Sequence, residues 1–203
     1  MIVLHQNESS PFCDKIRRVI QYKHRACELR EVPLHETVAT LGGLSPAGKV
    51  PVIEHAGNVV ADSSEIARYL EARFPEPPLF PASARDRALC HVLEDWADES
   101  LYFFQMWLRF AVRENASDWS RRSSRSEPPL LRLAAERALP TLMRNALRAQ
   151  GLGRCRPEHV LDELDRHVAA IAAWLGDEWL VGEHLTIADV AVYAQLACAV
   201  DTG

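Results

Sequence analysis

The chain has 203 residues, 48% of them hydrophobic, and a formal net charge of −5. That is enough apolar material for one large core or two small ones, and the acidic balance argues against nucleic acid as a partner. No run approaches the roughly 18 apolar residues of a membrane-spanning helix, so no membrane partner is expected. Five scattered cysteines without a Cys-x-x-Cys pair or zinc spacing argue against a metal and for free thiols in a reducing compartment. The N-terminus lacks the basic and long apolar stretches of a signal peptide, and a cytoplasmic location is expected.

Residues 2–5 form a short apolar run, the pattern of a buried strand. Residues 6–10 are loop formers. Ser10-Pro11 then starts a helix, because serine caps well and proline lacks only an N–H that would have been unpaired there. Phe12, Ile16, Val19 and Ile20 follow at helical spacing. Residues 27–32 alternate apolar and polar, and predict a second strand parallel to the first through a right-handed crossover. Residues 35–44 are ambiguous, with room for a short helix. The cluster 45–48 is a turn, 50–54 a strand opened by Pro51, 56–58 a turn and 59–61 a strand that completes a hairpin. Asp62-Ser63-Ser64 caps a further helix carrying Ile66, Ala67, Leu70 and Phe74 on one face. Prolines 75, 77, 78 and 81 read as a stiff linker. The predicted division is a first domain over residues 1–75, a linker over 76–84 and an all-helical domain over 85–203.

In that second part, Leu89, Val92, Leu93, Trp96, Phe103, Trp107 and Leu108 predict a long helix bent near Ser100. Residues 116–129 read as a polar loop. Residues 130–149 predict a helix interrupted by Pro140, and the run from Val160 to Leu175 predicts another. The arginines between Arg121 and Arg156 sit at helical spacing among acidic and apolar residues, the pattern of a solvated face. Thr186-Ile187-Ala188-Asp189 is a capping-box variant, with Leu185 and Val190 placed for a hydrophobic staple.

Three segments of the first part carry chemistry. Ser9, Ser10 and Cys13 lie at a helix start, where free N–H groups and the helix dipole favour a thiolate, whether the ligand's own or that of Cys13. A plain cap and a buried thiol fit the same residues. At Lys49-Val50-Pro51, a cis proline would aim the main chain of Val50 at an extended ligand, whereas a trans proline would merely open the strand. Asp62-Ser63-Ser64 offers a hydroxyl and exposed N–H groups to a carboxylate, with Asp62 able to accept from an ammonium; simple capping again fits.

Together, the Ser-Pro-Phe-Cys helix start, Gly48-Lys49-Val50-Pro51-Val52-Ile53 and the run from Asp62 to Leu70 closely resemble the N-terminal domain of the glutathione S-transferase family. Residues 179–183 and 185–189 resemble that family's helical-domain signature. Four separated motifs in the right order make the resemblance specific, and it spans nearly the whole chain.

The resemblance implies an α/β thioredoxin-like domain (βαβ-α-ββα) followed by an all-α helical bundle. It implies that Val50, beside a cis Pro51, pairs with the cysteinyl part of glutathione, that Asp62 and Ser63 hold the γ-glutamyl end, and that Lys49 reaches the glycyl carboxylate. Many members carry Glu where this chain has Asp62. Ser10 stands at the first cysteine of the related glutaredoxin motif, and in serine-type transferases a hydroxyl near here donates to the glutathione sulfur. Ser10 is preferred over its neighbour Ser9, and Cys13 is read as structural. The electrophile would lie against the helix that carries Tyr102, Phe103, Met106 and Trp107, with Phe12 opposite; Phe12, Met106 and Trp107 are the candidate pocket residues.

The implied activity is conjugation of glutathione thiolate to small hydrophobic electrophiles, with glutathione as cosubstrate and neither a metal nor a bound cofactor. The alternatives are a glutathione-dependent thiol–disulfide oxidoreductase, disfavoured by the missing first cysteine, a reductive-dehalogenase-like member, or a non-catalytic glutathione-fold binding protein. A homodimer is the implied assembly. Family members commonly continue by another helix or two; either this member is short or its end is missing, and absence of that segment would open one side of the electrophile pocket or disturb the core of the second domain.

Overall fold

A computed structural model describes residues 1–37, 41–42, 44–45, 47–175 and 178–200. By its internal contacts the chain divides into two units, Met1–Leu79 with Arg121–Glu136, and Phe80–Ser120 with Arg137–Gly203.

The first unit is built on a four-stranded sheet of order β2-β1-β3-β4, with β1 Ile2–Gln6, β2 Cys27–Glu31, β3 Val52–His55 and β4 Asn58–Ala61. Helix α1, Pro11–Tyr22, links β1 to β2, which pair in parallel as predicted. β3 runs antiparallel to both β1 and β4. Ile2, Leu4 and Ile53 share one face of the sheet and are buried, as are Ile16, Val19 and Ile20 of α1 and Ile66, Ala67 and Leu70 of α2, Ser63–Arg73, whereas Val52, on the other face, is buried with Val32 and Leu41. The β3–β4 turn places Ala56 at φ 50° and Gly57 at φ 79°. Two successive left-handed residues match the twist of a tight hairpin, which is why glycine stands at the second.

The ambiguous stretch after β2 begins with a single tight turn over Leu34–Glu36; residues 38–40 and 43 of the predicted short helix lie outside the described residues. The end of this unit is fastened by Lys23. Its side chain is fully buried, its ammonium pairs with Glu71, and it donates to the Pro77 carbonyl at 2.6 Å. Glu71 also accepts from Leu79 N at 3.1 Å.

The second unit holds α3, Ala84–Trp96, and α4, Tyr102–Phe110, separated by a wider helical turn at Ala97–Leu101. The break falls where the sequence predicts a bend. The polar loop predicted over residues 116–129 is largely helix: α5 spans Arg113–Ser123. Its polar composition hides two anchors, Ala116 and Trp119, which are buried, so packing overrides local preference. Helix α6, Pro129–Gln150, continues through Pro140 rather than stopping there. Leu139 and Met143, on either side of that proline, pack against the same cluster that buries Leu147. That burial offsets the backbone bond that proline cannot make. The cluster itself comprises Phe104, Met106, Trp107, Phe110, Trp119, Leu147 and Val160, the last from α7, Pro157–Trp174. Arg109 lies 3.8 Å from the centre of the Trp119 ring.

The last helix, α8, Ile187–Val200, opens on the predicted capping box. Asp189 accepts from Thr186 N at 2.8 Å and Thr186 Oγ1 at 2.7 Å, and its other oxygen accepts from Leu180 N at 2.8 Å. One carboxylate thus joins the helix start to the preceding loop. Asp189→Ala is expected to lower stability by about 2 kcal/mol, more than an isolated cap, measured as a urea midpoint. An unchanged midpoint would show these bonds to be replaceable by water.

Candidate active site

Register brings the three chemical segments to one end of the sheet. His5 near the end of β1 pairs with Val52 at the start of β3, and Val52 pairs with Ala61 at the end of β4. The chain past β1 leads to Ser10, the chain before β3 is Val50–Pro51, and the chain after β4 is Asp62–Ser63. Segments some forty and fifty residues apart in sequence therefore converge. The starts of α1 and α2 both lie at this end, so two positive helix-dipole ends face the same region.

Ser10 caps α1, its hydroxyl oxygen accepting from Cys13 N at 3.4 Å. Ser9 is engaged differently: its hydroxyl lies 2.7 Å from Asn7 Oδ1 and 3.1 Å from Ser123 Oγ. Phe12 is half-buried. The Val50–Pro51 peptide bond is cis. Lys49 is exposed. Asp62 caps α2, with Oδ1 accepting from Ser64 N at 2.9 Å and Glu65 N at 3.1 Å, while Ser63 is buried.

The backbone of Asp62 has φ 76° and ψ 130°, a region that residues with a Cβ rarely occupy. Such a conformation costs about 1–3 kcal/mol and persists where surrounding structure enforces it. Here the cap bonds and the helix behind them hold it, turning the main chain at Asp62–Ser63 out of the strand direction.

Met106 and Trp107 are 3% and 7% exposed and belong to the apolar cluster of the second unit. Their side chains fill that core, in keeping with the packing role usual for aromatic residues at helical spacing.

Cys13 is fully buried, and desolvation pushes its thiol up to about 11, although Asn7 N and the Ser10 side chain partly offset this. A thiol held protonated is a poor nucleophile. The same shift predicts an alkaline effect on stability. An ordinary thiol ionises near 9.0 and the folded Cys13 near 11, so its contribution is complete below pH 9 and is lost as pH rises toward 11. The loss amounts to about 3 kcal/mol at most. Urea midpoints should therefore fall more steeply across that window in wild type than in Cys13→Ala; parallel curves would refute the assignment.

Three residues that hold this region were not singled out by the sequence. Asn7 receives Ser9 N on its side chain at 3.1 Å and Ser10 N on its carbonyl at 3.0 Å. Glu31 at the end of β2 accepts from Glu8 N at 2.8 Å. Glu127 is buried and contacts the turn after β2. Asn7 sits in a recognisable strand-to-helix loop. The roles of Glu31 and Glu127 have no local signal, because their partners are distant in sequence.

Among the described residues no cluster of His, Cys, Asp and Glu could hold a metal ion. No helix among them is long and apolar enough to cross a membrane.

Comparison with known proteins gives the same picture at both ends of the chain. Residues 4–78 match the glutathione S-transferase N-terminal domain, and residues 153–202 match the glutathione S-transferase C-terminal domain. A probable glutathione transferase of Aplysia californica is 38% identical over 78 residues, which are 38% of this chain and 85% of that protein. A stringent starvation protein A homolog of Haemophilus influenzae is 34% identical over 101 residues, 47% of this chain and 48% of its own, so the chain spans about half the length of that relative. In three dimensions, a glutathione S-transferase from Rhodospirillum rubrum F11 superposes with a TM-score of 0.68 at 24% identity, covering 100% of this chain and 80% of that one. That likeness speaks to the fold, a thioredoxin-like domain followed by helices. With two domain models of one family matched in order across more than half of its length, the chain belongs to the glutathione S-transferase family.

Proposed function

We propose that this protein binds glutathione at the convergent end of the sheet and transfers its thiolate to a small hydrophobic electrophile. The observation that carries this reading is the register just described, which gathers Ser10, Val50–Pro51 and Asp62–Ser63 around two helix starts. Glutathione is an extended, anionic thiol peptide, and each part has a matching group. The main chain of Val50 offers strand-like pairing to the cysteinyl residue. Ser63 and the N-terminus of α2 suit the γ-glutamyl carboxylate, and Asp62 its ammonium. Exposed Lys49 suits the glycyl carboxylate. Phe12, half-buried and two residues after Ser10, is the candidate wall for the electrophile.

Ser10 is the proposed catalytic residue. Accepting from Cys13 N uses a lone pair of its oxygen and leaves the proton available to the sulfur. Donation to sulfur, together with the start of α1, favours the thiolate. The thiol proton passes to solvent, and the sulfur lone pair forms the new C–S bond. The displaced electron pair leaves with a leaving group or, in an addition, is protonated at the acceptor. Cytoplasmic location and a homodimer remain part of the proposal, by analogy with the family.

The test is a titration of bound glutathione by its ultraviolet thiolate absorbance. A pKa well below that of free glutathione supports transfer chemistry. Binding without a lowered pKa supports a non-catalytic glutathione-binding protein. The buried, protonated state of Cys13 disfavours disulfide exchange at that residue.

A further inference from the structure

One more stretch of chain reaches the same end of the sheet. β1 and β2 are parallel and finish together at the Gln6–Glu31 pair, so the loop from Asn7 to Ser10 and the turn Leu34–Glu36 both emerge there. The stretch Arg121–Glu136 packs with this unit and touches both. The geometry points to Ser123 and Glu127 as positioning residues of the glutathione site, a role that rests on the function proposed above.

At the first loop, Asn7 Nδ2 donates to the Ser123 carbonyl at 3.3 Å, and the Ser9 and Ser123 hydroxyls lie 3.1 Å apart. A hydroxyl has one proton. With the Ser9 proton directed at Asn7 Oδ1, the Ser123 hydroxyl donates to Ser9. Ser9 is thereby occupied within the protein, and Ser10 is the hydroxyl left to face the sulfur. This explains how two adjacent serines divide their roles.

At the second loop, Glu127 is 3% exposed and accepts from Leu34 N and from the His35 ring at Nδ1, the latter at 2.5 Å. A carboxylate this deeply buried is retained by its donors and not by water, so it fixes the turn that makes them. That turn opens the connection from β2 to β3, which ends at Val50–Pro51. The stretch is stiffened from within: Arg132 Nη2 donates to the Arg125 carbonyl at 2.6 Å and the Glu127 carbonyl at 3.3 Å. The loop that leads to Ser10 and the first turn of the β2–β3 connection are thus held from one side by residues more than eighty positions away. Pre-organising them lowers the ordering cost that binding would otherwise bear.

The experiment compares wild type with Ser123→Ala, Glu127→Ala, Glu127→Gln and Leu130→Ala. Leu130 lies on the same stretch and is 84% exposed, so it is the control. Glutathione affinity by calorimetry and the pKa of the bound thiol are read on samples shown to be folded by urea midpoint. Ser123→Ala and Glu127→Ala should each weaken glutathione binding by about three- to tenfold and raise the bound thiol pKa. Glu127→Gln, which can still accept from Leu34 N, should recover part of the loss, and Leu130→Ala should match wild type. Affinity and thiol pKa unchanged in the folded variants would overturn the inference, as would an equal loss in Leu130→Ala. If Glu127→Ala does not fold, Ser123→Ala, which removes one hydroxyl, decides. Failure of wild type to bind glutathione would overturn the proposed function, and this inference with it; binding by wild type with unaltered variants overturns the inference alone.

Discussion

Ser10→Ala is expected to raise the pKa of the bound glutathione thiol by about one to two units and to lower kcat/KM for conjugation about 10²-fold. The first figure follows from the worth of one hydrogen bond to a charged group, about 1.5–3 kcal/mol, at 1.36 kcal/mol per unit. The second is the usual cost of removing one donor aimed at developing or resident negative charge. The side chain also caps α1, so alanine should remove about 1 kcal/mol of stability as well. Ser10→Thr separates the two effects, because it keeps both the cap and a donor. A thiol pKa restored by threonine and lost in alanine would support the catalytic role. Equal thiol pKa values in wild type and Ser10→Ala would sink it and shift the stabilisation to the N-terminus of α1. The burial of Cys13 and the engagement of Ser9 make those residues poor substitutes.

Lys23→Met is expected to cost about 3 kcal/mol. The Lys23 side chain is wholly enclosed, and methionine would fill the volume of its stem while removing the cation that faces Glu71 and the donor to the Pro77 carbonyl. Breaking a buried pair from one side costs about 3–5 kcal/mol, because a charge stays behind in a poorly solvated place. The Glu71 side chain is 22% exposed, so water relieves part of this and the lower end applies. Adding Glu71→Gln should recover part of the loss, since the remaining amide is neutral and can still accept from Leu79 N. The measurement is a pair of urea midpoints followed by far-ultraviolet circular dichroism. A Lys23→Met midpoint equal to that of wild type would show that the pair contributes nothing net. A double variant less stable than Lys23→Met would show that the charge on Glu71 serves another contact.

Much of the first unit is legible from local rules. The apolar run of β1, the alternation in β2, the Ser10-Pro11 start, the Ala56-Gly57 turn and the Asp62 cap are each set by a few adjacent residues, and each appears where the pattern places it. The box at Thr186 and Asp189 is legible for the same reason, since its bonds span three residues. Even the convergence of the three candidate segments follows from strand order once the sheet is known.

Elsewhere tertiary packing decides. Helix α5 is polar in composition, and only the burial of Ala116 and Trp119 makes it a helix on the core. Pro140 forbids one backbone bond, yet the apolar neighbours on the same face keep α6 continuous. Met106 and Trp107 carry the chemistry of a ligand wall, and their enclosure among Phe104, Phe110 and Trp119 makes them core. The sequence prefers Ser10 to Ser9 only by its place before Pro11, and the engagement of Ser9 with Asn7 and with a hydroxyl more than a hundred residues away adds a physical ground for that preference. Short-range bonding and periodicity are written in neighbouring residues, whereas burial and long-range partners exist only once distant segments have met.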